Sequence, residues 1–402
     1  MNRQPVGQQL ATATAAAMAT ALIAAVLLAA PAALAAPAAL AAARPPAATG
    51  AAATAGLGPV GGALLAGHGV IVSYPAHRGI RLPRVAASAY LIADAGTGQV
   101  LAAKDPHGWF RPASTLKVLT AITLMPVLNP GAAVVASHRA AAAVPSKVGL
   151  IQGDSYPISD LFKALLMISA NDAAVALAQA TGSYGRGIAM MNAEARHLQA
   201  DDTVAVTPNG LDAAGQHSSV YDEALFARQA LALPEFMDDE MLRTVRFMVR
   251  PHHKPVTLYT QNTMLDTYPG DLGGKIGWTT RARATFIGWA RRGHTTLVVT
   301  ILHCTPLAEL TYAARLLNWG FAMDGKARPV GRLVSPLPAA ARPAEHPPAV
   351  ARRHLLARPA ASGLAALPLA AGLAALLVAV LATVVAVLVS RRARRAGNPA
   401  AR

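Results

Sequence analysis

The sequence predicts an α+β fold in which an antiparallel sheet, built from both ends of one domain, packs beside an inserted helical lobe. Two β-hairpin patterns support this prediction. Residues 86–93 and 99–103 alternate as strands around the turn cluster at 94–98, and residues 285–291 and 295–302 form a second pair rich in β-branched side chains. Most segments between the two hairpins have helical spacing.

Helical patterns follow in four places. The first helix opens at Pro112, a residue suited to a first helical turn. Residues 161–180 form one continuous apolar helix pattern, and residues 187–197 form another. Residues 305–323 have helical spacing with Pro306 in the first turn, so we expect a helix to close the domain.

The charge distribution argues against nucleic acid as a partner. The chain carries a net charge of +16, but residues 85–323 hold 19 basic and 18 acidic side chains, so the predicted domain is almost neutral. The excess lies in residues 1–84, at +5, and in residues 324–402, at +10. A nucleic-acid enzyme is expected to hold its positive charge on the folded surface.

The single cysteine, Cys304, excludes an intramolecular disulfide and a metal site built from cysteines. Its expected role is that of a small apolar residue at the end of a strand. No metal and no cofactor are predicted for this chain.

The N-terminus has the pattern of a secretory signal peptide. Arg3 precedes an uncharged run with an apolar centre at residues 21–28, and small residues stand before a cleavage bond near residue 36. Residues 1–36 are therefore predicted to be a signal peptide; an uncleaved anchor and alanine-rich low complexity are the alternatives. Residues 37–84, rich in Pro, Gly and Ala, are predicted to be a disordered lead-in.

The C-terminus has the pattern of a membrane anchor. Residues 369–389 carry no charge, and at about 1.5 Å per residue they span roughly 31 Å, close to the hydrocarbon thickness of a bilayer. The predicted order is a Pro/Ala-rich tether at 324–362, a transmembrane helix at 363–390 and a basic tail at 391–402. Basic residues next to a span stay cytoplasmic. A buried core helix, the alternative, is not expected behind such a tether.

This topology predicts a single-pass protein of the cell membrane whose domain, residues 85–323, lies outside the cytoplasm. ATP and reduced nicotinamides are absent from that side of the membrane. Most kinases and dehydrogenases are therefore excluded.

A serine and a lysine at the predicted start of the first helix form a candidate nucleophile and base. Ser114 and Lys117 are three residues apart, so they lie on one helix face. A serine hydroxyl needs a neighbouring group to take its proton, and a lysine does this when burial keeps it neutral. Alone, the pair is equally compatible with a capping serine followed by a surface lysine.

Two further segments carry polar residues in unusual surroundings. Ser169 and Asn171 interrupt the long apolar helix pattern, and buried polar groups need partners. Lys275 stands among glycines, including Gly277, where a ligand can approach the backbone closely. Ser-x-x-Lys, Ser-x-Asn and Lys-x-Gly in this order, between two sheet halves, form a highly specific set.

These motifs resemble those of the low-molecular-mass penicillin-binding proteins of the D-alanyl-D-alanine carboxypeptidase type, in serine peptidase family S11. The resemblance covers about residues 86–323 and includes segments 90–101, 209–212 and 317–321. It implies the serine β-lactamase-like fold, an antiparallel sheet with a helical lobe. It also implies a penicillin-sensitive hydrolase that removes the terminal D-alanine from peptidoglycan stem peptides without a metal or cofactor.

The resemblance implies catalytic roles for three side chains. Ser114 matches the nucleophile, and Lys117 matches its proton acceptor. Ser169 matches the hydroxyl that passes a proton to the leaving D-alanine. The backbone N–H groups of Ser114 and Trp278 match the oxyanion hole, which stabilises the charge that develops during acyl transfer.

The resemblance also implies a substrate-binding set. Asn171 matches the amide that holds the substrate backbone, and Lys275 matches the cation that faces the substrate carboxylate. Gly277, Trp278 and Thr279 complete this set. The implied partners are the peptidoglycan stem peptide and β-lactam inhibitors.

Two departures from the family pattern affect the substrate carboxylate. The family usually has threonine where this chain has Ile276, and isoleucine cannot form a hydrogen bond with a carboxylate. Many members also carry an arginine between the last strand and the last helix, but this chain has no arginine between Arg292 and Arg315. The nearby candidates for the missing contact are Thr279, Thr280, Arg281 and Arg283.

Two other functions stay open at this point. A wall-binding or scaffolding homologue without activity is favoured by Ile276 and opposed by the intact motif residues. A membrane-anchored β-lactamase is compatible with export. It is opposed by the lack of a convincing segment for a deacylating glutamate.

Overall fold

The computed structural model describes residues 58–75, 80–249 and 254–338. The predicted signal peptide at 1–36 and the predicted transmembrane helix and tail at 363–402 lie outside this part of the chain. Across the described ranges, no helix is both long enough and apolar enough to cross a bilayer. The signal peptide, the transmembrane helix and the basic tail therefore remain predictions.

Eleven strands lie in the described residues, and seven of them form one antiparallel sheet. The strands are β1 (Val70–Val72), β2 (Ala87–Asp94), β3 (Gln99–Lys104), β4 (Ala133–Val135), β5 (Ser155–Pro157), β6 (Thr244–Phe247), β7 (Val256–Tyr259), β8 (Asp271–Thr279), β9 (Arg283–Arg292), β10 (Thr295–Cys304) and β11 (Gly331–Arg332). The order across the sheet is β8–β9–β10–β2–β3, and β1 and β11 both pair with β3. The other four strands form two small ribbons, β4–β5 and β6–β7.

Both predicted hairpins are confirmed. Strand β2 pairs with β3, and β9 pairs with β10 across Gly293 and His294. Strand β10 also pairs with β2, with Val299 opposite Ile92, so the two ends of the domain meet in the middle of the sheet. Cys304 is the buried last residue of β10, as predicted.

The segment between the hairpins is mainly helical, as predicted. The described α-helices are α1 (Lys117–Leu124), α2 (His138–Ala141), α3 (Ile158–Met167), α4 (Asn171–Ala180), α5 (Tyr184–His197), α6 (Val220–Ala230), α7 (Pro234–Glu240), α8 (Met264–Thr267) and α9 (Glu309–Met323). Short 3₁₀ helices at Ala63–Ala66 and Ala113–Leu116 precede β1 and α1. Ser183 and Ser219 cap α5 and α6, because each hydroxyl accepts a hydrogen bond from a first-turn backbone N–H.

Apolar clusters cover both faces of the sheet. Along β9, Ile287 and Trp289 belong to one cluster, while Phe286 and Ala290 belong to the other. This alternation is the period of a strand with two buried faces. Helix α9 packs on the Phe286 side, whereas α6 and the helical lobe lie on the Trp289 side, where the Trp289 indole donates to the carbonyl of Ala227 at 2.8 Å.

The predicted continuous helix at 161–180 is wrong, because α3 and α4 are separate helices. Ser169, between them, has a φ of 62°, in the left-handed region. The backbone N–H and side-chain amide of Gln261 donate to the last carbonyls before the break, those of Met167 and Ile168, at 3.1 and 3.4 Å. These bonds come from a distant segment, so the local apolar pattern does not reveal the break.

The start of the last helix also differs from the prediction. Helix α9 begins at Glu309 rather than at residue 305, so Pro306 lies in the preceding turn and not in the first helical turn. Leu307 has a φ of 65°, which interrupts any helix through residues 305–308.

The domain predicted at residues 85–323 is too short at both ends. Strand β1 and the buried Leu65 belong to the folded unit, so the predicted disorder of residues 37–84 does not apply to this part. Strand β11 and the buried Leu333 likewise lie within the predicted tether. Both short strands cover an edge of β3 that would otherwise expose unpaired backbone groups.

Candidate active site

The nucleophile candidate lies in a tight turn before α1. Ala113 has a φ of 51°, and the following Ser114 points into a cleft. The turn is tied to the sheet, because the Thr285 hydroxyl donates to the carbonyl of Pro112 at 2.8 Å. Gly210 packs so closely below it that a Cβ there would lie 1.7 Å from the carbonyl oxygen of Ala113.

Lys117 is the centre of the polar network. Its Nζ lies 2.9 Å from Ser114 Oγ, 3.2 Å from Ser169 Oγ, 2.7 Å from Asn171 Oδ1 and 2.9 Å from the carbonyl oxygen of Asn209. The side chain is fully buried. Burial holds the pKa of Lys117 well below its ordinary value, and the nearby Lys275 lowers this pKa further, against an opposing effect of Asp172. A neutral amine in this position can accept the Ser114 proton.

The break between α3 and α4 delivers the second motif. The left-handed backbone at Ser169 turns its hydroxyl toward Lys117, and Asn171 follows as the first residue of α4. The Asn171 amide oxygen accepts from Lys117, and its nitrogen donates to the carbonyl of Val144 at 2.8 Å. In this state Asn171 therefore orients Lys117 and the loop at Val144, and its amide oxygen is already bonded.

Strand β8 brings the third motif to the nucleophile. A Cβ at Gly277 would lie 2.7 Å from the backbone nitrogen of Ser114, so only glycine lets the strand pass this closely. The next residue, Trp278, is 58% exposed at the cleft, and the Thr279 hydroxyl donates to Asp212 at 3.1 Å. This placement sets the backbone of β8 alongside that of Ser114, as an oxyanion hole requires.

Lys275 is buried behind the cleft wall. Its Nζ donates to the carbonyl of Ile276 at 2.9 Å. Burial lowers the pKa of Lys275, and the buried Glu240 opposes this change. Burial in turn raises the pKa of Glu240, while Lys275 lowers it. Glu240 also accepts the backbone N–H of Gly274 at 3.0 Å, which fixes the strand beside Lys275.

One cleft of about 1250 Å³ lies over these groups. Ser114, Ser169 and Asn171 line it from below. Of the four candidates for the carboxylate contact, Thr279, Thr280 and Arg281 line this cleft, together with the methyl groups of Ile276, whereas Arg283 does not. Within the described residues, no group of three or more His, Cys, Asp or Glu side chains lies together as a metal site would require.

Two residues that support the site were not predicted from the sequence as functional. The backbone carbonyl oxygen of Asn209 accepts a hydrogen bond from the Lys117 amine. The buried Asp172 carboxylate accepts the backbone N–H groups of Val148, Gly149 and Leu150 at 2.7–3.0 Å, which ties the loop above the cleft to α4. An acid directly after Asn171 at a helix start is a signal that could have identified Asp172.

Ser114 is hydrogen-bonded to the buried amine of Lys117, and strand β8 runs alongside the Ser114 backbone. A serine in this arrangement can carry out acyl transfer. Together with the antiparallel sheet and the helical lobe, it defines a serine hydrolase with the fold of the penicillin-binding proteins. The chain belongs to the D-alanyl-D-alanine carboxypeptidase family, peptidase S11, whose family model matches residues 77–305.

Two D-alanyl-D-alanine carboxypeptidases from other bacteria are similar to this chain in sequence. The D-alanyl-D-alanine carboxypeptidase DacB2 of Mycobacterium tuberculosis is 36% identical over 254 residues, which cover 62% of this chain and 87% of the relative. DacF of Bacillus subtilis is 28% identical over 60% of this chain and 63% of its own length.

Solved structures are similar over the same region. A D-alanyl-D-alanine carboxypeptidase from Mycobacterium tuberculosis superposes with a TM-score of 0.60 at 35% identity, covering 66% of this chain and 99% of that protein. The DD-transpeptidase of Streptomyces K15 gives a TM-score of 0.57 at 26% identity, over 60% of this chain and all of that protein.

Proposed function

We propose that this protein is a serine-type D-Ala-D-Ala carboxypeptidase that removes the terminal D-alanine from peptidoglycan stem peptides and is acylated by penicillins. The observation that supports this most directly is the buried Lys117 amine, 2.9 Å from Ser114 Oγ. An active serine needs a base whose pKa is lowered enough to accept its proton, and burial lowers the pKa of Lys117 in that way.

The first half of the reaction forms an ester. Lys117 takes the Ser114 proton, and Ser114 Oγ attacks the carbonyl carbon between the last two D-alanines. The backbone N–H groups of Ser114 and Trp278 stabilise the negative oxygen of the tetrahedral intermediate. Ser169, 3.2 Å from Lys117 Nζ, gives its proton to the leaving amine as the peptide bond breaks and takes the proton that Lys117 received from Ser114. Water then hydrolyses the ester and frees Ser114.

The substrate carboxylate is bound by residues that differ from the family pattern. Ile276 offers only methyl and methylene groups to the cleft, so we assign the contact to Arg281 with a threonine hydroxyl. That hydroxyl belongs to Thr280, or to Thr279 once it turns away from Asp212. Lys275, buried behind Ile276, contributes the positive potential of its charge rather than a direct hydrogen bond.

Labelling with a fluorescent penicillin tests the chemistry, with Ser114→Ala as the control. Mass spectrometry should place the adduct on the peptide that holds Ser114, and a pentapeptide substrate should release D-alanine. An inactive wall-binding homologue would show neither result. Rapid turnover of penicillin without D-alanine release would indicate a β-lactamase.

We also propose that the catalytic domain is exported and anchored by the apolar segment at 369–389, with the basic tail at 391–402 in the cytoplasm. The length and charge pattern of these segments support the proposal. A tag at the C-terminus should be protected from protease in intact cells. A protease-accessible tag would contradict this orientation.

A further inference from the structure

Glu223 is a buried acid beside the nucleophile turn, and the mechanism above gives it no role. It lies in the first turn of α6 and is completely buried. One oxygen, Oε1, is hydrogen-bonded to the hydroxyl of Thr115, the residue after the nucleophile. The other oxygen, Oε2, has no hydrogen-bond partner among the described residues.

Counting protons on these groups indicates which form of Glu223 is present. Thr115 Oγ1 carries one hydrogen but lies within hydrogen-bond distance of two oxygens, Glu223 Oε1 and the carbonyl oxygen of Pro112 at 2.7 Å. A carbonyl can only accept, so the Thr115 hydrogen goes to Pro112. The hydrogen of the second bond must then come from Glu223, which is therefore a neutral carboxylic acid.

Two further observations agree with the neutral form. A charged carboxylate, completely buried and with one oxygen unpartnered, would be strongly unfavourable. Burial also raises the pKa of Glu223 well above its ordinary value, against an opposing effect of the Thr115 hydrogen bond.

The resulting hydrogen bonds connect three elements through the nucleophile turn. With Glu223 in the neutral form, its carboxyl group on α6 donates to Thr115 Oγ1, and Thr115 donates to the carbonyl of Pro112. The same carbonyl accepts from Thr285 on β9. The turn held by these hydrogen bonds contains the left-handed Ala113, followed by Ser114. Left-handed backbone at a residue other than glycine is strained, so the conformation of the turn depends on hydrogen bonds from α6 and β9.

We propose that Glu223, as a neutral carboxylic acid, is a positioning residue for the nucleophile of the carboxypeptidase reaction. It forms a hydrogen bond with Thr115, which in turn forms one with the carbonyl of Pro112. These bonds keep the Ser114 hydroxyl within hydrogen-bond distance of Lys117 and keep the Ser114 N–H beside Gly277. This inference rests on the proposed function, because it assigns a role in acylation at Ser114.

Two variants of Glu223 separate this role from simple packing. Glu223→Gln keeps a donor for Thr115 and should acylate with penicillin within about twofold of the wild-type rate. Glu223→Leu fills the space without a donor and should slow acylation about tenfold, the effect of about one hydrogen bond. Its thermal stability should change little, because Thr115 still donates to the carbonyl of Pro112 and the substitution also removes the unpartnered buried Oε2 of Glu223.

Asp222→Asn is the matched control on the same helix. Asp222 is also buried, but it accepts from Thr203 at 2.7 Å, and among the described residues it forms no hydrogen bond with the nucleophile turn. This variant should acylate at the wild-type rate. Equal acylation rates for Glu223→Gln and Glu223→Leu, or parallel losses of rate and stability in Glu223→Leu, would overturn the positioning role.

Infrared difference spectroscopy tests the protonation state without relying on penicillin. The wild-type spectrum minus that of Glu223→Gln should contain the carbonyl stretch of a protonated carboxylic acid at neutral pH. A carboxylate band in its place would overturn the proposal. Failure of penicillin labelling in the wild type would instead contradict the proposed function, so the two failures are distinguishable.

Discussion

At the scale of single residues, the site contains two buried lysines in different surroundings. Lys117 has four oxygens around its amine and no carboxylate bonded to it, and burial lowers its pKa. Burial also lowers the pKa of Lys275, but Glu240 opposes that change and favours the charged form. This difference suits Lys117 to a neutral base and Lys275 to a cation.

Histidine at the two positions should therefore give different pH profiles. Lys117 works when neutral, so wild-type acylation should fall as pH drops through the lowered pKa of Lys117. Lys275→His should keep measurable acylation at mildly acidic pH, where histidine is charged, and lose it as pH rises. Lys117→His should show no such recovery in acid. The pH dependence of the penicillin acylation rate is measured for both variants. Identical pH profiles would contradict the assignment of Lys117 as a neutral base and Lys275 as a cation.

Ile276 places an apolar side chain where the family usually offers a hydroxyl. A hydrogen bond to a charged group contributes about 1.5–3 kcal/mol, so Ile276→Thr should raise the rate of acylation by a D-Ala-D-Ala peptide about tenfold or more. The comparison requires variants of matched thermal stability. An unchanged or lower rate would mean that the contact assigned to Arg281 already suffices and that a hydroxyl at position 276 adds nothing to it.

Arg281 and Arg283 form a matched pair for the carboxylate contact. Both are exposed arginines near the end of β8, but only Arg281 lines the cleft. Arg281→Ala should weaken binding of a D-Ala-D-Ala peptide about tenfold, and Arg283→Ala should leave it unchanged. Peptides with a free or an amidated C-terminus report the effect. Equal sensitivity of the two variants would remove Arg281 from the site.

At the scale of elements, two irregular segments bring the motifs together. The left-handed Ser169 ends α3 and starts a new direction for α4, and the left-handed Ala113 bends the chain before α1. At Ser169 the left-handed backbone, which no straight helix has, turns the hydroxyl toward Lys117. The catalytic arrangement therefore depends on places where regular structure stops.

Gly210 supports the second of these segments. Gly210→Ala should displace the nucleophile turn, because the added Cβ would lie 1.7 Å from the Ala113 carbonyl oxygen. Gly215→Ala is the control, since Gly215 has a similar φ, 80° against 78°, and open space around it. Both variants carry the same backbone strain, about 1–2 kcal/mol. Only Gly210→Ala should lose acylation more than tenfold at equal folded fraction, and similar rates in both would contradict the contact.

At the scale of the whole molecule, the folded unit depends on segments far from the motifs in sequence. Strands β1 and β11 cover the edge of β3 from opposite ends of the domain. Arg228 on α6 ties the C-terminal strand in place, because its guanidinium donates to the carbonyls of Ala95 and Leu333 at 3.0 and 3.1 Å. Within the described residues, the folded unit therefore includes β1 and β11 as well as the elements that carry the motifs.

Truncations should locate this boundary. A chain that ends at residue 338 should keep its thermal stability and penicillin acylation. A chain that ends at residue 323 loses β11 and the buried Val330 and Leu333, whose burial contributes about 1.5–3 kcal/mol each. Its midpoint of thermal unfolding should fall by several degrees. Equal midpoints for the two chains would show that β11 is dispensable.

The sequence by itself predicted the two hairpins and most helices, because strand period and helix period are local properties of the chain. Its motifs also singled out Ser114, Lys117, Ser169 and Lys275 as site candidates. Tertiary structure alone decided the break at Ser169, where Gln261 supplies the hydrogen bonds that the helix lacks. It also decided that Asn171 bonds to Lys117 and that Glu223 meets Thr115 across 108 residues of sequence. Strands as short as β1 and β11 show no period of their own and form because the edge of β3 offers them partners. Burial and pairing between distant segments cannot be predicted from local periodicity, and they set both the charge of Lys117 and the shape of the site.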